Sequence, residues 1–399
     1  MPQTDTELQQ RLREYSSYES TPTESYELFE EARAAGCPVA RSEKLDGFHM
    51  LLAYEDVRAA HRDPGTFSSE PQVLRPIVER PQFPPIEYDP PLQREWRDLF
   101  AIALNVTTAK AEQETVRAFV QETIAKLRAQ DSFDVVTDLA EEVALFTLCR
   151  VLGFDVEKRH DIRRHTIEMH KHADDPVLGP AAFQAFAEFG VAEVMSRLEH
   201  PRDDYLTHLA TAEIGGHRLS PMELGGAMNS LLNAGHGTTV AGITSLIHEV
   251  FTQPEVRDRI AADPALIPAA VDESMRLHTP FFGLYRRVTK DTTVHDVEIP
   301  EGDSVFLCWA AANRDPEAFE RPNEFDLDRK IGAKRHLAFG FGIHACQGRP
   351  LATMQMQTVL GELLEHARAL EILDPESVRY DFGGSETAAI KSLRARIPD

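Results

Sequence analysis

The stretch Phe339-Gly340-Phe341-Gly342-Ile343-His344-Ala345-Cys346-Gln347-Gly348 decides the reading of this chain. It holds one cysteine in a glycine-rich loop, and Arg349-Pro350-Leu351-Ala352 opens a helix directly behind it. Proline is favoured in a helix first turn. The partial positive charge of a helix N-terminus favours a thiolate lying just ahead of its first turn. The glycines permit a tight bend and close backbone approach to a flat ligand. The loop therefore presents Cys346 as a soft, electron-rich metal ligand. The opposing reading is a buried structural cysteine. Cys149, in Leu145-Phe146-Thr147-Leu148-Cys149-Arg150-Val151-Leu152, has that character: small, inert and on an apolar helix.

Outward from the loop, the chain reads as helices with short connections. The longest helix is expected over Pro221 to Thr252. Ser220 stands as N-cap, Pro221 in the first position, Glu223 completes a capping box, and Pro254 follows the end. At its middle lies Ala234-Gly235-His236-Gly237-Thr238-Thr239. Two mid-helix glycines cost about 1 kcal/mol each against alanine, so the segment calls for tight helix packing or a local opening. Further helices are expected over Pro22–Ala35, Tyr54–Arg62, Glu112–Leu127 and Phe133–Leu152. Glu273 and Arg276 share a face of another, which ends at Thr279-Pro280; taken alone they are an ordinary surface pair. Phe48–Leu52 reads as a strand. Thr292 to Cys308 alternates like strands around a turn at Pro300-Glu301-Gly302-Asp303. Ser68 to Pro91 is a long proline-rich segment, and loops of that length are often functional.

At 399 residues the chain has no Gly/Ser run, proline-rich spacer or internal repeat, so one domain over 1–399 is the expectation. The net charge of −23 disfavours nucleic acid and anionic membrane as partners. Cys37, Cys149, Cys308 and Cys346 lie far apart, without a C-x-x-C pair, as suits a reducing cytoplasm. Met1 to Ser20 is polar, and no run of about 18 apolar residues suggests a membrane span.

The cysteine loop fills every fixed position of the cytochrome P450 haem-ligand pattern, Phe-Gly-x-Gly-x-His-x-Cys-x-Gly. The chain thus resembles that family, in its soluble bacterial, ferredoxin-dependent form. The resemblance implies a mainly α fold with a small β region and haem b between the long helix and the cysteine loop. It implies monooxygenation: one oxygen atom from O2 enters a small hydrophobic substrate, a terpenoid or small aromatic, by hydroxylation or O-demethylation. Cys346 would be the axial metal ligand, whose electron density favours O–O cleavage. Ala234 and Gly235 would lie over the haem, and Thr238 would assist proton delivery to dioxygen. Gly237 stands where the family carries an acid, so the proton route departs from the usual one.

Asp89-Pro90-Pro91-Leu92-Gln93-Arg94-Glu95-Trp96-Arg97 resembles the family's propionate-binding segment, with Gln93 in place of a histidine. Arg97, Gln93, Arg286, His344, Phe339 and Gly340 are thereby implied as haem-binding. Glu273, Arg276 and Arg329 would form a buried structural triad. Val73, Leu74, Phe83, Phe281 and Phe282 would contact substrate. A ferredoxin, reduced by its reductase, would dock near Arg94, Arg97, Arg335 and Arg349. Two rival readings are a peroxide-driven peroxygenase, motivated by Gly237, and a non-catalytic haem sensor or carrier.

Overall fold

A computed structural model describes residues 6–75, 77, 79–172, 175, 177–329, 335–382 and 386–398. Its axis is the helix Pro221–Thr252, 32 residues long. The capping box forms as the sequence dictates: Ser220 accepts from the Glu223 N–H, and Glu223 reaches back to the cap. The helix runs unbroken through Ala234–Thr239, and all but one of its glycines serve packing. A Cβ on Gly235 would stand 2.9 Å from Leu148 Cδ1, and one on Gly242 would press on the sulfurs of Met356 and Met275 at 3.2 and 3.3 Å. Ile243, Leu246, Ile247 and Val250 of this helix are buried with Met356, Leu360 and Leu363 of the helix Arg349–His366 and Val116 and Val120 of the helix Val106–Arg128.

Phe133–Leu152 does not form one helix. Phe133–Asp134 is a strand paired with Arg394–Arg396, Val136–Ala140 a wide π turn, and only Glu141–Leu152 an α-helix. Asp134 causes the break. Its carboxylate accepts from the N–H groups of Val136 (2.9 Å) and Leu393 (3.1 Å), and the second partner is 259 residues away.

The β region is small. Strands β1 (Val39–Ser42), β2 (Phe48–Leu51), β3 (Phe67–Ser68), β4 (Gly283–Val288) and β5 (Ser304–Cys308) order as β1-β2-β5-β4-β3. β2 and β5 are parallel, with His49 opposite Val305, and the other pairs are antiparallel. Thr292–Val294 and Val297–Ile299 make a separate hairpin. No described helix is long and apolar enough to cross a membrane.

Glu273 and Arg276 are a buried structural pair, not a surface one. Arg276 is 2% exposed and meets Glu273 through two bonds of 2.9 and 2.8 Å. Arg329 Nε reaches the same carboxylate at 2.8 Å. The remaining Arg276 donors go to the carbonyls of Asn313, Pro322 and Glu324. Every charge in the cluster has a partner, which is the condition for burying ions at tolerable cost.

Glu386 differs. It is 2% exposed, accepts from Ser17 Oγ at 2.8 Å and Tyr285 Oη at 3.3 Å, and its Oε2 has no partner among the described residues. Burial pushes its carboxyl from 4.5 up to about 7. Between those values the folded chain binds the extra proton, so this group's contribution to stability falls as pH rises from 4.5 through 7. Relative to Glu386→Gln, the native chain should lose up to about 3 kcal/mol of stability between pH 4.5 and pH 8. Urea unfolding at both pH values checks this, and a difference that does not change with pH overturns it.

Candidate active site

Cys346 closes its loop just before the helix Arg349–His366. Gly340 and Gly342 take φ values of 65° and 68°, a region that L side chains rarely adopt. A side chain on Gly342 would also strike the His61 carbonyl at 2.6 Å. Backbone bonds from Gly340 N to Leu337 O (2.8 Å) and from Cys346 N to Phe339 O (2.7 Å) fix the bend. The helix Leu92–Ala101 grips the loop from outside. Gln93 Nε2 donates to Ile343 O at 2.6 Å, Arg97 Nη1 to Ala345 O at 2.9 Å, and Gln347 Nε2 to Arg97 O at 2.7 Å. Phe339 is half-buried, with the Arg349 guanidinium 5.4 Å from its ring centre.

The Cys346 side chain keeps accessible surface, while the protein packed around the loop desolvates its thiol. Burial raises its thiol pKa. The N–H groups of Gly348 and Arg349 and the charges of Arg97 and Arg349 pull the other way without prevailing. The helix-start effect expected from sequence is therefore present but outweighed by desolvation. The thiolate calls for a further positive charge, as a metal ion supplies.

A second element presents surface to the interior. Along the long helix, Leu231–Leu232 and Thr239–Ile247 are buried, whereas Asn233, Ala234, Gly235, Gly237 and Thr238 are not. His236 is buried and turns away, as its offset from Gly237 along the helix requires. Thr238 Oγ1 donates to Ala234 O at 2.9 Å, which leaves its lone pairs free to accept.

Cations gather at the edge of the loop. Arg286 is 2% exposed; its Nη1 donates to Tyr285 O at 2.8 Å, and its Nη2 has no partner among the described residues. Burial pushes the guanidinium down to about 10, opposed by Asp89. His344 Nε2 lies 2.9 Å from Ser69 Oγ, and its Nδ1 likewise lacks a described partner. Burial, then Arg286 and Arg97, push His344 down to about 3. The three side chains thus feel one another, and two nitrogens among them await acceptors.

The Cytochrome P450 family profile matches residues 147–376, more than half of the chain. Cytochrome P450 107B1 of Saccharopolyspora erythraea is 30% identical over 368 residues, covering 88% of this chain and 90% of its own. This chain belongs to the cytochrome P450 family. The erythromycin C-12 hydroxylase of the same organism is 31% identical over 347 residues, covering 84% of this chain and 86% of its own. Among solved structures, cytochrome P450 CREJ in complex with (4-ethylphenyl) dihydrogen phosphate superimposes with a TM-score of 0.87 at 26% identity, covering 97% of this chain and all of that one. This P450 is accordingly a haem-dependent monooxygenase of bacterial type.

The residues present fit haem. Cys346 offers the sulfur, and the unpartnered nitrogens of Arg286 and His344 suit the two propionates. A buried guanidinium with an unmet donor is costly until an anion meets it. Gln93 is buried and donates to the Ile343 carbonyl, which holds the loop. A Cβ on Gly235 would meet Leu148 at 2.9 Å. Val73 and Phe282 are 1% and 0% exposed. Phe282 packs on Tyr26 and Phe382, while Phe281 remains half-buried near Trp309 on the other side of the strand. Leu74 is half-buried, and Phe83 meets Phe183 at 5.7 Å.

The long loop 68–91 owes its shape to a residue the sequence did not single out. Glu87 is fully buried and accepts from Val73 N (3.0 Å), Phe83 N (2.7 Å) and both Arg80 amino groups (2.8 and 2.7 Å). Ser230 Oγ ties Pro84 O to the long helix at 2.5 Å. His61 carries no motif in the sequence either. It accepts from Trp309 Nε1 at 2.8 Å and supports the loop at Gly342, and burial beside Arg286 and His344 keeps it neutral.

Below the cysteine loop a shallow cleft of about 260 Å³ is lined by Arg58, Arg335, His336, Phe341, Ala345 and Arg349. Arg58 and Arg62 both stack on Phe341 at 5.0 Å. Arg94 is exposed but is not part of this cleft.

Cys346→Ser should abolish the red-shifted absorbance of the reduced carbon monoxide complex, because an alcohol does not replace the thiolate. Spectra of the haem-loaded variant check this, and a retained shift overturns the assignment of Cys346.

Proposed function

We propose that this P450 hydroxylates or O-demethylates a small apolar molecule, a terpenoid or small aromatic, in the cytoplasm, with electrons from a ferredoxin and its reductase. The observation that carries the reading is that Cys346 and, on the long helix, Ala234, Gly237 and Thr238 all keep accessible surface in segments whose neighbours are largely buried. The apolar groups at hand, Leu74, Phe83 and Phe281, favour a hydrophobic guest. The aromatic ligand of the structural relative supports the same class.

Haem, when bound, supplies dioxygen activation and the transfer of one oxygen atom. The chain supplies position and protons. Cys346 would hold the iron, and Arg97, Arg286 and His344 would anchor the propionate edge. The loop 68–91, locked by Glu87 and leaning on Phe183, covers the guest and excludes water. Thr238 keeps its own proton on Ala234 O while its oxygen accepts from a water. Gly237 bears no acid, and a Cβ there would meet nothing within 4 Å. Water can stand in that space and feed Thr238. A peroxide-driven reading is favoured by the same missing acid. Comparing turnover on NADH with partner proteins against turnover on peroxide alone decides between them.

Thr238→Ala should raise hydrogen peroxide release per NADH severalfold while oxygen consumption continues. If product yield per NADH is unchanged, Thr238 has no part in proton delivery.

Arg58 lines the cleft that reaches Ala345, next to Cys346, and Arg62 stacks on the same Phe341 ring; their charge stands out on a chain of net charge −23. An acidic ferredoxin suits that face. Arg62→Glu should slow ferredoxin-supported turnover about tenfold at low salt, with the gap narrowing at high salt as exposed charges are screened. Kinetics at two ionic strengths test this, and equal rates at both remove the cleft from consideration.

A further inference from the structure

The long helix carries five glycines, at 225, 226, 235, 237 and 242. Four are explained by close neighbours. A Cβ would meet Ala187 at 3.4 Å from Gly225, Gln82 O at 2.3 Å from Gly226, Leu148 at 2.9 Å from Gly235 and Met356 at 3.2 Å from Gly242. Gly237 alone of the five opens onto space, with nothing within 4 Å. Its cost in helix propensity is therefore not offset by packing.

Asn233 stands four residues earlier, and residues at i and i+4 share a helix face. Neighbouring polar side chains spend their donors within the protein: Asn229 Nδ2 on Gly225 O at 3.1 Å, Ser230 Oγ on Pro84 O at 2.5 Å, Thr238 Oγ1 on Ala234 O at 2.9 Å. Asn233 is only half-buried, and among the described residues its amide has no hydrogen-bond partner. An amide drawn partly out of water is unfavourable unless something bonds it.

We propose that Asn233 and the gap at Gly237 form a polar subsite for one oxygen-bearing group of the substrate, a hydroxyl or carbonyl. This rests on the reading of the interior void as the seat of a small apolar guest, and it narrows that guest to an oxygenated terpenoid or aromatic. The amide both donates and accepts, so it serves a carbonyl through its NH2 and a hydroxyl through either end. The apolar side chains hold the carbon skeleton, while the single hydrogen bond fixes its rotation. The oxygen at the helix thereby decides which carbon is offered for reaction.

The test is spin-state titration of the haem-loaded protein with matched pairs: p-cymene against thymol, and α-pinene against verbenone. The oxygenated member of each pair should bind about tenfold tighter, since a site built around a hydrogen bond discriminates against a guest lacking it. Asn233→Leu should cancel that preference by weakening the oxygenated members, with the reduced carbon monoxide spectrum reporting an intact haem site. Gly237→Leu, which fills the gap, should weaken the same members. Equal binding within each pair by the native protein, or a preference that survives Asn233→Leu, overturns the subsite and leaves the apolar-guest reading standing. If no compound of either kind shifts the spin state, the apolar-guest reading fails, and the subsite with it.

Discussion

Protein interiors close to near-crystalline density unless something holds them apart, and this P450 depends on irregular segments that keep their shape against that tendency. Two loops do the holding, and neither is regular structure. The cysteine loop is clamped by Gln93, Arg97 and Gln347 and bent at Gly340 and Gly342. The loop 68–91 is locked by the buried carboxylate of Glu87. In both, side chains bond backbone groups that would otherwise remain unsatisfied away from water.

Buried charge separates support from function in this molecule. Around Glu273, each guanidinium donor of Arg276 has an acceptor, and the cluster is complete within the protein. Arg286 is as deeply buried, yet one of its amino groups has no described acceptor. Completed networks stabilise a fold, whereas an unmet buried donor beside a void marks a place for a ligand. The same distinction sets Asn233 apart from Ser230, whose hydroxyl is spent on Pro84 O.

The glycines of the long helix show how one residue type serves two ends. At Gly235 and Gly242 the missing side chain lets another helix approach, and the helix continues unbroken. At Gly237 no neighbour takes up the space, which leaves room for water or substrate on the helix face shared with Asn233, about one turn away. Packing and access are thus decided residue by residue along a single segment.

What the sequence by itself determined is whatever depends on near neighbours in the chain. The ten residues around Cys346 carry the family, because their glycines and cysteine act within one loop. The limits of the long helix follow from Ser220, Pro221, Glu223 and Pro254, since a cap is made within four residues. What only the tertiary structure decided involves partners far along the chain. Asp134 breaks a helix because it meets Leu393. Gln93 holds a carbonyl 250 residues away. Phe281 and Phe282 part to opposite faces because extended backbone alternates. Arg58 and Arg62 stack on Phe341 because Gly342 lets their helix press against the cysteine loop. Such contacts are set by how helices and loops are packed in space, and local propensity carries no record of them.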